Sequence, residues 1–227
     1  MNIAYNIQAL TITRKIKFSG MHLDCNLTWK SHIDNLMKKL ISICFMLRKL
    51  LPIVKVKMLR MVYFAHFYSE ISYDIIFWGS ALSMRNVFII QKRAIRIMPR
   101  LGPRISCREG FKKLGILTVP CLYIYALMLI AVKNLNIYQT NTSGHGINIR
   151  ERNKVNIPSV GLSSIQRGVY HPSVKIFDQL TQNTLKFHYI KHTHKTLLRD
   201  YLVKNAFFSI KEFLSFGHRC RHTNIHI

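Results

Sequence analysis

Residues 31–51 read SHIDNLMKKLISICFMLRKLL, and this stretch decides the fold class. Ile33, Leu36, Met37, Leu40, Cys44, Leu47 and Leu51 recur at the three- and four-residue steps that keep side chains on one side of an α-helix. Strand alternation would divide the same residues between two faces. Lys38, Lys39, Arg48 and Lys49 lie mostly off the stripe. Ser31 and Asp34 have capping-box spacing, with Asp in place of the usual Glu or Gln, and Pro52 stops the helix. The spacing predicts a helix over 31–51 with one buried face and a basic remainder.

Toward the C-terminus the helical pattern continues. A longer helical region is expected over 55–78, ending at Gly79, and its aromatics (Tyr63, Phe64, Phe67, Tyr68, Tyr73, Phe77 and Trp78) predict burial on more than one side. Residues 83–98 carry a core stripe of Val87, Ile90, Ala94, Ile95 and Met98, with Gln91, Lys92, Arg93 and Arg96 projecting elsewhere. Pro99 and the turn at Leu101, Gly102 and Pro103 end that helix. Ser106 and Glu109 form a second capping box, opening a short helix that closes at Gly115.

Residues 116–132 are seventeen without a charge, near the lower limit for a membrane-spanning helix. Pro120 interrupts them. Pro suits the first helical position, so the helix is expected from Pro120 to about residue 138, with thirteen uncharged residues before Lys133. That is too short to span, so a buried core helix and no integral membrane association are expected. Residues 141–168 then turn polar, with four glycines and Pro158, and read as a connection. Shorter helical patterns follow over about 173–180, 191–205 and 209–216, the last with a capping box of Ser209 and Glu212.

Toward the N-terminus the period changes to two. Ile12, Arg14, Ile16 and Phe18 alternate with Thr11, Thr13, Lys15 and Lys17, giving a strand with a basic second face. Gly20 follows, and residues 21–29 make a second short extended piece able to pair with the first. The fold class is thus mainly α: a short N-terminal β-hairpin, a helical bundle, and a smaller C-terminal helical region. The expected divisions are 1–30 for the hairpin region, 31–140 for the bundle, 141–168 for the connection and 169–227 for the C-terminal region with its basic tail.

Charge narrows the function. The chain has 227 residues with 34 Lys and Arg against 9 Asp and Glu, a net charge of +25, and 49% hydrophobic content. So apolar a chain is not disordered, and so basic a chain calls for a polyanion, with nucleic acid or an anionic membrane surface as the natural partner. The nine carboxylates (Asp24, Asp34, Glu70, Asp74, Glu109, Glu151, Asp178, Asp200 and Glu212) are dispersed. Two-metal chemistry, which needs several convergent carboxylates, is not expected. Five cysteines (Cys25, Cys44, Cys107, Cys121 and Cys220) without a CxxC pair argue against a disulfide framework and for a reducing compartment, intracellular and either cytoplasmic or nuclear. No secretory signal is read in the opening residues.

Other constellations carry little. His218, Cys220, His222 and His226 lack the upstream Cys pair of a zinc finger, and His188, His192 and His194 lack an HExxH arrangement. There is no GxSxG elbow, no phosphate-loop motif and no GxGxxG. No catalytic residue and no metal site is assigned, and no cofactor is expected in this chain. The basic residues remain. Lys15 and Lys17 on a strand, Lys38, Lys39, Arg48 and Lys49 on the 31–51 helix, and Lys92, Arg93 and Arg96 on the 83–98 helix are expected to form one face whose binding would weaken steeply with salt.

Several phrases in order resemble one family. KFSGMHLD (residues 17–24), NLTW (26–29) and His32, then SYDIIFWG (72–79), QKRAIR (91–96) and FKKLGILT (111–118), are similar to the reverse transcriptases of jockey-type non-LTR retrotransposons. Looser matches at Arg152 and Asn153, Gln166 to Gly168, and Lys175 to Phe177 extend the resemblance over about residues 15–214. In that family the first phrase follows the catalytic palm and carries the primer-grip hairpin. Only sixteen residues, none acidic, precede it here. The resemblance implies a fragment: a palm edge, a helical thumb and the region beyond, without the carboxylates that hold magnesium in the intact polymerase. It places Phe18 and Gly20 at the primer-grip turn. The implied partners are RNA, RNA–DNA hybrid or DNA, together with the missing palm and fingers. Ser19 and Asp74 depart from the family pattern, as do Pro99 and Pro172, which suggests a decaying copy inactive by itself.

Overall fold

The computed structural model describes residues 15–100, 102, 105–134, 168–183 and 194–219. Outside them lie residues 11–14 of the predicted alternation, residues 135–138 of the predicted apolar helix, the 141–167 connection, His188 and His192, and Cys220, His222 and His226. The chain is mainly α. Strands β1 (Lys15–Phe18) and β2 (Met21–Asp24) form an antiparallel hairpin with Lys15 opposite Asp24 and Phe18 opposite Met21. Helices follow: α1 (Lys30–Leu50), α2 (Val56–Val62), a π-helical turn (Tyr63–Tyr68), α3 (Ser69–Ser72), α4 (Ile75–Trp78), α5 (Met84–Ile97), α6 (Arg108–Leu114) and α7 (Val119–Lys133). After the connection come α8 (Tyr170–Asn183), α9 (His194–Asn205) and α10 (Ile210–Arg219).

Helix α1 buries the stripe its spacing predicts, with Ile33, Leu36, Leu40, Cys44 and Leu47 against the core. Its start differs. Trp29 takes the left-handed conformation, φ 62°, and the helix begins at Lys30, so the Ser31 and Asp34 capping box does not form. Asp24 organises the entry instead. Its carboxylate accepts from the backbone N–H of Asn26 and Thr28 and from the Thr28 hydroxyl, at 3.2, 2.9 and 2.8 Å, and these bonds, led by the Thr28 amide, hold it below its ordinary pKa of 3.8.

The 55–78 region is not one continuous helix. Its buried residues Leu59, Tyr63, Phe67, Ile71 and Ile75 step by four. Each step of four overshoots a 3.6-residue turn by about 40°, so such a stripe would wind off the core in a regular α-helix. The wider π turn takes up part of that drift. Ser69 stabilises it by donating to the carbonyls of Ala65 and His66, at 2.7 and 2.9 Å. A second break falls at Asp74, φ 49°, where the Trp78 indole N–H donates to the freed Tyr73 carbonyl at 3.0 Å. Burial is one-sided rather than all round, leaving Tyr73 and Phe77 exposed.

Helix α5 lies between α1 and α7, burying Val87, Ile90, Ala94 and Ile95. One expectation there is overturned. Gln91 does not project outward but is 0% exposed, donating to the Tyr63 hydroxyl and the Leu117 carbonyl, both at 2.9 Å, and accepting from the Val119 N–H at 2.8 Å. That N–H is the first of α7, one of the orphan donors of a helix start. Thr118 caps the same end by accepting from the Cys121 N–H at 3.2 Å. Helix α7 begins at Val119, so Pro120 is its second residue rather than its first.

Helix α6 closes at Gly115, φ 62°, as expected. The Gly115 and Ile116 N–H groups return to the Lys112 and Phe111 carbonyls at 3.1 and 3.0 Å, the Schellman pattern. Its predicted capping box is absent, because Glu109 pairs with Lys112 at 3.0 Å. The Ser209 box does form, with the Ser209 hydroxyl accepting from the Glu212 N–H at 3.0 Å. Its reciprocal bond goes to the Phe208 N–H at 2.7 Å.

Apolar nearly all round, α7 is covered by α4, α5, α8, α9 and α10. Leu198 and Leu202 of α9, Phe207 of the link after it and Phe213 of α10 belong to the same continuous core as Ile33 and Leu40 of α1. Among the described residues no single helix is long and apolar enough to cross a membrane.

Candidate nucleic-acid interface

Ser19 and Gly20, with φ 47° and 84°, make the two-residue hairpin turn, and positive φ at both positions defines type I′. The Tyr73 ring packs 3.6 Å from where a Gly20 Cβ would sit. Its hydroxyl donates to the Ser19 carbonyl and lies 3.3 Å from the Ser19 hydroxyl. Met21 is the buried side chain of the hairpin, and every residue of β1 is exposed, Ile16 at 57% and Phe18 at 63%. The alternation therefore does not separate a core face from a basic one. Lys15, Lys17, Ile16 and Phe18 all face solvent, and Asp24, opposite Lys15, is committed to Thr28.

Between hairpin, α1 and α3 lies an open cleft of about 300 Å³, walled by His22, His32, Lys39, Glu70 and Tyr73 with Gly20 at its rim. Lys39 is not a free cation: its ammonium meets Glu70 at 3.0 Å. His32 is buried beside two indoles, Trp29 edge-on at 6.4 Å and Trp78 tilted at 6.2 Å. Burial, with the His22 charge second, lowers its pKa from 6.5.

The remaining basic residues divide by helical geometry. Lys38 and Lys49 stand on the exposed side of α1 with Ile41 and Phe45, and the Lys49 ammonium lies 5.5 Å over the Phe45 ring. Arg48 is exposed beside them. Arg93 is exposed on α5, the helix that packs on α1. Lys92 and Arg96 turn the other way, toward Cys107 at the start of α6. Lys92 sits 4.8 Å over the Phe88 ring. The structure thus places Lys38, Arg48 and Lys49 on the exposed side of α1 and Arg93 exposed on the neighbouring α5, keeps Lys15, Lys17, Phe18 and Gly20 together on the hairpin, commits Lys39 to Glu70 in the cleft beside Gly20, and turns Lys92 and Arg96 toward Phe208 and Ile105.

Several arginines serve the fold, and local sequence gives no sign of it because their partners lie far along the chain. Arg60 and Arg199 donate to the carbonyls of Leu114 and Gly115 at 2.6 and 3.2 Å, where cations suit the end of α6. Arg108 pairs with Glu212 at 2.9 Å and lies 4.4 Å over Phe208, joining α6 to the C-terminal helices. Tyr73 at the hairpin turn is likewise invisible to motif spacing.

Among the described residues no three His, Cys, Asp or Glu side chains converge to hold a metal ion. Burial pushes the Cys44 and Cys121 thiols up to about 11, which makes them poor nucleophiles at neutral pH. The exposed surface offers cations and aromatic faces, a chemistry of binding. Compared with protein-family models, curated proteins and solved structures, the chain matches none of them.

Proposed function

We propose that this chain binds RNA–DNA hybrid or other nucleic-acid duplex through backbone phosphates, as the primer-grip edge and helical thumb of a jockey-type reverse transcriptase, and does not polymerise by itself. The supporting observation is the exposed set Lys15, Lys17, Lys38, Arg48, Lys49 and Arg93, none within ion-pair distance of a described carboxylate. Even if all nine acidic residues each took a separate cation, 34 − 9 = 25 would be left over. Phosphate contacts position a duplex without reading its sequence, which fits a surface whose signal is an excess of exposed cations.

Fluorescence anisotropy with a labelled RNA–DNA hybrid tests this reading. If six phosphates are neutralised, affinity falls by about 10³ between roughly 50 and 200 mM salt. Combined Lys15→Ala and Lys17→Ala flattens that slope, and no nucleotide is incorporated with magnesium present. Binding insensitive to salt would sink the proposal, and incorporation would sink its inactive part.

A second reading is a basic helical module acting independently of polymerisation. Its support is a core that closes around α7 from α1 to α10. Equal affinity for a primer–template junction and a blunt duplex would favour it.

A further inference from the structure

His32 occupies a poor place for a positive charge. It lies in the first turn of α1, at the positive end of the helix dipole, and is buried against two indole rings. His22 of β2 and Lys39 of α1 oppose its protonation, while Asp74, between α3 and α4, and Glu70 of α3 favour it. Glu70 is already held by Lys39 at 3.0 Å. The sum favours the neutral ring.

The hairpin is attached at this same spot. Strand β2 packs on α1, Met21 is its buried anchor, and Tyr73 holds the turn through Ser19. His22 from the hairpin and His32 from the body line one cleft, so a charge on both sets like charges against each other across the joint.

We propose that His32 is a proton-operated latch: the hairpin is docked on α1 while the imidazole is neutral and is released when it is protonated. The direction follows from linkage. A histidine whose pKa is lowered in the folded chain contributes stability that is present above its free value of 6.5 and lost as pH falls through the lower value, and the hairpin's own share of that lowering is the His22 charge, second to burial. Release frees Lys15, Lys17 and Phe18 from the place that β2, packed on α1, holds for them. The latch stands on the cleft that His22 and His32 share and on the packing of β2 against α1, with its sign taken from the lowered His32 pKa. Only its effect on nucleic-acid affinity rests on the function proposed above.

Trp29 and Trp78 are the two tryptophans of the chain and both contact His32, so their emission reports the joint. On titrating the full chain from about pH 8 to about pH 5, where imidazole changes charge, emission should follow a one-proton transition centred below 6.5. The far-UV circular dichroism should stay constant, and amide exchange over residues 15–24 should speed up severalfold at the acid end. His32→Gln should abolish the transition, and His22→Gln should move it to higher pH by removing the opposing charge. Flat emission, a transition that survives in H32Q, or simultaneous loss of helix would overturn the latch. Should H32Q fail to fold, an unmoved midpoint in H22Q overturns it as well. Hybrid binding measured at both ends of the titration separates the two proposals: absence of binding at every pH removes the nucleic-acid reading and leaves the emission result to decide the latch.

Discussion

The N-terminal hairpin and helix α7 belong to one chain and are built on opposite terms. No residue of β1 is buried, and the hairpin is attached through Met21, the Tyr73 hydroxyl and the packing of β2 on α1. Helix α7 buries Leu122, Ile124 and Leu127, among others, and is surrounded by five other helices. Its first N–H is taken by Gln91, and the Thr118 hydroxyl donates to the Phe207 carbonyl at 2.6 Å, 89 residues away. A segment tied in so many ways opens only when the whole core opens, whereas one tied at a few points opens by itself. Stability therefore resides in the core, whereas the proposed binding surface is divided between the loosely tied hairpin and the outer faces of α1 and α5, and substitutions in the core and in the hairpin should sort accordingly.

The largest expected effect lies at Gln91. Gln91→Leu keeps the volume but leaves the Tyr63 hydroxyl, the Leu117 carbonyl and the Val119 N–H without this partner. At roughly 1–3 kcal/mol for each orphaned buried group, partly offset by the apolar gain, the loss should be about 4 kcal/mol. Urea unfolding followed by circular dichroism measures it. A change under 1 kcal/mol would mean that the start of α7 is not the joint of the core, and the contrast with the hairpin would weaken.

Next comes Gly79, where an added side chain would meet α7. A Cβ there would sit 2.3 Å from Tyr123 Cδ2 and 2.6 Å from the Ile75 carbonyl oxygen. Tyr123 is buried and the carbonyl belongs to the backbone, so neither gives way readily. Gly79→Ala should cost about 2 kcal/mol by overpacking. Pairing it with Tyr123→Leu should recover part of that loss, and a thermal melt of the double variant checks whether the clash with the ring is the cause.

These two sites also mark how far the sequence could be read. The stripes of α1 and α5 were visible because their buried residues repeat at the helical period, and Gly115 as a stop because a left-handed residue there favours glycine. Gln91 was misplaced because it sits at the margin of the α5 stripe, and its partners, Tyr63 and Leu117, are brought to it only by tertiary packing. The π turn was hidden for a related reason: a four-residue step fits a helix pattern over one turn and departs from it only over several. On the candidate surface, the charge excess and the basic residues of the hairpin and α1 were legible from composition and spacing. Their division into separate groups was not. Whether Lys39 is free depends on Glu70, 31 residues on, and whether Lys92 faces outward depends on rings from α5 and the approach to α10.

The smallest expected effect is at Ser19, and it tests the contrast most directly. Type I′ turns need positive φ at both central residues, and Asn followed by Gly is the preferred pair. Ser19 holds φ 47° at some cost, because an ordinary side chain in the left-handed region crowds its own carbonyl. Ser19→Asn should relieve part of that cost, roughly half a kcal/mol, while keeping a polar group beside the Tyr73 hydroxyl. Since β1 buries nothing, this gain should remain local. Amide exchange over residues 16–23 should slow about twofold, and the urea midpoint of the whole chain should not move. A midpoint that rises in step with the local protection would show that the hairpin opens only with the core. The separation between a stable body and a detachable basic arm would then be wrong at its first joint.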